Sequence, residues 1–196
     1  MKEFEILSGL LKKDRSVRRF REDDRLTDST MKQLVELCRY CASGRNLQPL
    51  KYRIVTGKEE CEQVYPLLKW AGYYTDWDGP EKGERPAAYL IQCLDTDMTK
   101  NPMCDEGLQL QAITLGATAV GLGCCIIKSF DVKGLMRILS LPDNLIPSYV
   151  LALGKPVETV KIEDMDGTPS ADFKYFRTAD GVHHVPKRPL EEIIIS

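Results

Sequence analysis

From residue 105 to residue 130 the chain reads DEGLQLQAITLGATAVGLGCCIIKSF, and between Glu106 and Lys128 no side chain is charged. A helix at a protein surface keeps one polar face, and this stretch has none. Leu108, Ala112, Leu115, Ala119 and Leu122 recur at spacings of three and four, which predicts one helical stripe. Gly116, Ala117 and Thr118 keep other faces thin enough for close packing. The run is long enough to span a bilayer. Gln109, Gln111, Thr114, Thr118 and the glycines argue instead for a helix buried at the centre of a soluble domain, and no second span accompanies it. Gly121-Leu122-Gly123 should end the helix, and residues 124–127 read as a short apolar strand.

At 196 residues the chain has room for one domain with a full core, or two small ones. Its 29% charged and 43% hydrophobic residues are an ordinary globular balance. A net charge of −2 gives no general attraction to nucleic acid or to an anionic membrane. The charge is uneven, however. Up to Arg21, Lys2, Lys12, Lys13, Arg15, Arg18, Arg19 and Arg21 face only Glu3, Glu5 and Asp14. That local excess suits a small anion better than a polymer.

No apolar secretory segment follows the first basic residue. The seven cysteines are odd in number and lack framework spacing, so reduced thiols and a cytoplasmic location are expected. Cys38 and Cys41 form a C-x-x-C that could be a redox pair or half of a metal site. They share an apolar helical stripe with Leu34 and Leu37, which favours buried structural thiols, and no metal site is expected. His183 and His184 fall in a polar tail, where a surface pair is the default.

In chain order, residues 3–11 predict an amphipathic helix with Phe4, Leu7, Leu10 and Leu11 inward. The segment Arg15-Ser16-Val17-Arg18-Arg19-Phe20 follows. In an extended chain Ser16 and Arg18 would point the same way. They could form a phosphate site, or the segment could be a solvated basic turn. Thr27-Asp28-Ser29 offers caps for a helix over residues 30–41. The polar loop Ser43-Gly44-Arg45-Asn46-Leu47-Gln48-Pro49 could satisfy the rim of a flat heterocycle, or only its own backbone. Residues 52–56 read as a strand and residues 59–68 as a helix limited by Pro66.

Residues 69–85 are long, aromatic and turn-rich, as a functional lid would be. Trp70, Tyr73, Tyr74 and Trp77 could cover an aromatic ligand or pack the loop onto the body. Residues 87–94 and 148–153 read as buried strands, and Asp131 can cap a helix over residues 132–139. From Lys155 onward the chain becomes a polar, acidic arm ending in Ile193-Ile194-Ile195, too poor in apolar residues for a core of its own. It should dock, as an added strand on a second subunit.

Gly121-x-Gly123 follows a helix and precedes a strand, the reverse of a dinucleotide-binding glycine loop. No phosphate-binding P-loop, nucleophile elbow or H-E-x-x-H is present. The two histidines sit in the tail, away from any serine-hydrolase arrangement. Chemistry by side chains alone is poorly supported, which points to a bound cofactor.

Four segments together resemble the signature motifs of the nitroreductase family of flavoproteins. Arg15-Ser16-Val17-Arg18-Arg19-Phe20 is similar to its opening motif, and Ser43-Gly44-Arg45-Asn46-Leu47-Gln48-Pro49 to its Ser/Asn/Gln-Pro loop. Gly121-Leu122-Gly123 with the following strand resembles the third signature, and Lys187-Arg188-Pro189-Leu190 the closing basic motif. Order and rough spacing match over nearly the whole chain.

The resemblance implies an α+β fold: a three-layer α/β/α sandwich with a mixed central sheet, assembled as an intertwined homodimer. It implies a single FMN-binding domain over residues 1–196, with the arm at 155–196 docked on the partner. Arg15, Ser16 and Arg18 would hold the FMN phosphate, ribityl chain and pyrimidine edge. Ser43, Asn46 and Gln48 would reach the flavin of the other subunit. Ile127, Lys128 and Ser129 would lie along the ring, and Lys187 with Arg188 would complete the phosphate clamp. Trp70, Tyr73 and Tyr74 are the expected substrate contacts, and no side chain is assigned as a catalytic acid or base.

Asp14 departs from the family pattern, where Arg is common, as do Val185, where some members have Lys, and Lys128-Ser129, where members often have Gly or Glu-Gly. The activity implied is ping-pong: NADH or NADPH gives a hydride to the flavin, which reduces a small flat acceptor such as a nitroaromatic or quinone. Flavin reduction, dehalogenation and a non-catalytic flavin-binding sensor dimer are the alternatives on the same scaffold.

Overall fold

The structure is a computed structural model that describes residues 1–167 and 172–195. Its centre is a four-stranded sheet in the order β1 (Leu50–Val55), β2 (Ala88–Asp95), β4 (Leu145–Gly154), β3 (Gly123–Ile127), with every neighbouring pair antiparallel. β2 lies in the middle and reads AYLIQCLD, a near-continuous apolar run suited to a strand covered on both faces. Alternation then sorts its side chains. Ala88 and Leu90 face α2 (Asp28–Glu36) and α4 (Asp105–Ala119), packing with Met31, Leu34, Leu110, Ile113 and Ala117. Tyr89, Ile91 and Cys93 face the opposite way, toward Val64 of α3 (Lys58–Val64) and Leu135 of α5 (Val132–Ile138). Helices on both faces of one sheet make the three layers. Ile91, Leu90, Leu151 and Leu153 are fully buried, and each such side chain contributes about 1.5–3 kcal/mol.

The sheet acquires its parallel component at the β3 edge. After α1 (Lys2–Lys13) the chain runs alongside β3, with Ser16 bridged parallel to Cys124 and Val17 N donating to Cys124 O at 3.0 Å. This approach explains one glycine of the Gly121-Leu122-Gly123 exit. A Cβ on Gly123 would stand 2.8 Å from Val17 Cβ. Gly121 has φ +76°, the left-handed conformation that commonly ends a helix. The expected caps also form: Thr27 accepts from Thr30 N, and Asp131 accepts from Gly134 N at 2.9 Å.

Three expectations change. α4 is buried on one side only, through Asp105, Gln109, Leu110, Ile113, Thr114 and Ala117. The predicted stripe lies toward the other side, with Leu108 and Ala119 exposed, because α2 covers only part of that surface. α1 forms as expected but buries nothing, and Phe4 is 75% exposed. The tail forms more structure than its composition suggests. β5 (Val160–Asp164), β7 (His183–Lys187) and β6 (Phe176–Arg177) make a small mixed sheet against the body, while Ile193, Ile194 and Ile195 remain exposed. Among the described residues no helix is long and apolar enough to cross a membrane.

Candidate functional site

Where α1 ends and the chain meets β3, a pocket of about 170 Å³ opens between Asp14, Arg15, Ser16, Gln111, Thr114, Cys124 and Ile126. The helix turn leaves Arg15 folded back, Nη2 donating to Leu11 O at 2.8 Å. Its Nε is buried and makes no hydrogen bond. Burial and the neighbouring Arg15 cation push Lys187 below its ordinary range. Lys187 does not line the pocket, but it is near enough for the Arg15 charge to disfavour its own, so two cations from opposite ends of the sequence repel beside a donor with no acceptor. An anion between them would relieve both. Asp14 lines the same pocket, where its Oδ2 accepts 2.7 Å bonds from Gln111 Nε2 and Thr114 Oγ1.

Arg18 does not line this pocket. It is buried, with Nη1 3.1 Å from His183 Nε2 and 3.3 Å from Ser16 O, and its Cζ is 4.8 Å from the centre of the Tyr175 ring. A guanidinium only donates, so His183 Nε2 accepts and its Nδ1–H donates to the Tyr74 hydroxyl. Burial, then Arg18 and Arg177, lower the His183 pKa to about 4. Beneath this network Glu158, with its side chain 1% exposed, accepts from the backbone N–H groups of Arg18 and Arg19 and from Arg177 Nη2 at 3.2 Å. Arg177 lies 5.1 Å from both the Tyr74 and Trp77 rings. His183 is thus no surface residue. It sits at the junction of N-terminal segment, aromatic loop and arm.

The aromatic loop divides. Trp70 is buried in the core near Tyr65, Tyr73 is exposed beside Tyr175, and Tyr74 joins His183. In the polar loop, Ser43 Oγ donates to the buried Asp105 carboxylate at 2.6 Å and accepts from Gln48 N at 2.9 Å, while Gln48 Nε2 donates to Asn46. Arg45, Asn46 and Gln48 all have positive φ, a concentration of backbone strain more common at functional sites. Ser43, Asn46 and Gln48 do not line the Arg15 pocket. At the end of β3 Ile127 is buried, and Ser129 O accepts from Lys69 N at 2.9 Å. Lys128 Nζ donates to Ser148 O at 2.9 Å over the Tyr149 ring. Arg188 pairs with Glu192 at 2.7 Å, exposed.

The cysteines supply no rival centre. All seven are unpaired, and burial pushes Cys38 up to about 11, far from a reactive thiolate.

A family model described as the Nitroreductase family matches residues 11–84, which include both the Arg15 segment and the Ser43 loop. Over that stretch the chain is similar to the nitroreductase family. A protein of Methanothermobacter thermautotrophicus provisionally named NADH dehydrogenase/NAD(P)H nitroreductase is 24% identical over 162 residues, 79% of this chain and 80% of that protein. A Bacillus subtilis protein named FMN reductase (NADPH) is 31% identical over 78 residues, 39% of this chain and 30% of that protein. The crystal structure of a nitroreductase-family protein from Streptococcus pneumoniae TIGR4 superposes with a TM-score of 0.69 at 18% identity, covering 97% of this chain and 99% of that one.

Sequence patterns alone did not single out Glu158, His183, Tyr175, Gln111 and Thr114 as parts of the candidate site. Only Gln111 and Thr114 left a signal, as polar residues in an otherwise apolar helix.

Proposed function

We propose that this chain is an FMN-dependent oxidoreductase. It takes a hydride from NADH or NADPH and delivers it, in alternating half-reactions, to a flat acceptor such as a nitroaromatic or quinone. The observation that carries the reading is the buried, unbonded Arg15 Nε in a pocket with Ser16, near a Lys187 that burial and then the Arg15 charge push down. The names of the Bacillus and Methanothermobacter relatives agree with it.

Arg15, Ser16 and Lys187 would hold the FMN phosphate. Ser43, Asn46 and Gln48 would be brought by a second subunit, and Ile127, Lys128 and Ser129 would border the ring. Arg18, engaged by His183 and Tyr175, would contribute its charge rather than a direct contact. When bound, FMN supplies the hydride-carrying ring that no side chain here can replace. On the protein side, His183 orients Tyr74 so that the hydroxyl proton is free for an incoming acceptor. Exposed Tyr73 would border the acceptor's entry, and Trp70 would fix the base of the loop. Arg188 stays outside the clamp.

A homodimer would cover the exposed Phe4, Leu108, Val120 and Ile193–Ile195 side chains; the described residues of the arm up to Lys187 pack on their own body, so it is the segment from residue 188 onward that would dock on the partner. A cytoplasmic location suits seven unpaired thiols. Native mass spectrometry of the purified protein should show two chains with two FMN. Anaerobic NADH or NADPH should then bleach the yellow absorbance. A colourless monomer that ignores added FMN would overturn the proposal.

A further inference from the structure

The anion pocket contains a carboxylate of its own. Asp14 is held in place by Gln111 Nε2 and Thr114 Oγ1, both from α4, and Thr114 is buried. Those two bonds do not require the negative charge. The amide oxygen of an asparagine at this position could accept both. The charge is therefore surplus to the local structure, and it faces the space that Arg15 makes attractive to anions. A sphere of the pocket's volume is about 7 Å across, less than the distance over which physiological salt screens a charge.

We infer that Asp14 is the specificity-determining residue of this pocket: it weakens the hold on a flavin's phosphate monoester, so that FMN exchanges with solvent instead of staying bound. This rests on the reading that the pocket takes FMN. Arg15 and Lys187 draw the phosphate in, and Asp14 opposes a group carrying nearly two negative charges. A flavin lacking the phosphate feels no such opposition. Exchange would make FMN as much a passing ligand as a resident cofactor.

The test is a fluorescence-quenching titration of the flavin-free protein with FMN and, separately, with riboflavin. Asp14→Asn should bind FMN roughly tenfold more tightly, with riboflavin affinity unchanged within about twofold. Asp14→Ser, which removes the charge by a different route, should move FMN in the same direction. Unchanged FMN affinity in both variants, or riboflavin affinity moving in step with FMN, would overturn the inference. If the wild-type protein and both variants bind neither flavin, the FMN reading itself falls and takes this inference with it. That outcome is recognised by the failure of the wild type.

Discussion

Arg15 and Arg18 lie three residues apart in one short segment, yet they occupy opposite kinds of environment. Around Arg18 every partner is in place: His183, the Ser16 carbonyl, the Tyr175 ring, and Glu158 beneath. Around Arg15 a buried donor has no acceptor, and burial together with the Arg15 charge pushes Lys187 below its ordinary range. The closed cluster is built to hold three chain segments together. The open pocket leaves a donor unmatched, which under the proposed function an anion from outside the chain would meet. Polar satisfaction, not residue type, sets Arg18 apart from Arg15, although Arg177 on the closed side also keeps a buried Nε without a partner; it is the open pocket beside Arg15 that makes its donor available to an anion.

The comparison breaks most severely if the closed side is not locked. Glu158→Ala removes the buried acceptor for two backbone N–H groups and for the partly buried Arg177. It should lower stability by about 3–5 kcal/mol. Urea unfolding measures the loss, and amide exchange in residues 183–187 should accelerate. A loss under about 1 kcal/mol would show that the arm is held elsewhere.

A second, smaller effect is acid sensitivity. An exposed histidine in the unfolded chain takes a proton near pH 6.5, whereas His183 resists until about pH 4 because of burial and its two arginine neighbours. Between those values the unfolded state binds more protons, so acid favours unfolding. The contribution of neutral His183 is complete above pH 6.5 and is lost as the pH falls toward 4, on the order of 3 kcal/mol in all. His183→Gln, which cannot titrate, should flatten the urea midpoint across this window. A slope equal to wild type would assign the acid sensitivity to other groups.

These two residues also mark where the sequence stops being informative. The buried strands, the Thr27 and Asp131 caps and the central helix were legible because each depends on a local run or spacing. Glu158 and His183 meet Arg18 across 140 and 165 residues, and nothing local sets a buried carboxylate or imidazole apart from an exposed one. The alternation argument that paired Ser16 with Arg18 failed for a related reason. Residues 15–20 touch the sheet through isolated bridges only, so no regular pleat fixes their facing. α4 misled in a different way. A helix lacking a polar face predicts burial, and within one chain half of that surface stays bare. The four-motif resemblance reached the Arg15 pocket but could not tell its two arginines apart.

The smallest stability effect should fall on the open side. Lys187 sits on β7, whose backbone pairs with Asp164, and that pairing survives any side-chain change. The ammonium is already disfavoured by burial and by Arg15, so removing it relieves a repulsion while losing a little packing. Lys187→Ala should therefore change unfolding stability of the flavin-free protein by less than about 0.5 kcal/mol. The same substitution should weaken FMN binding roughly tenfold, because a charge-assisted contact to the phosphate is lost. Thermal melting and flavin titration on one sample read the two quantities separately. A melt lowered by more than about 3 °C would mean that Lys187 is bonded to the body as firmly as Arg18 is, and the contrast between the two arginines' surroundings would lose its basis.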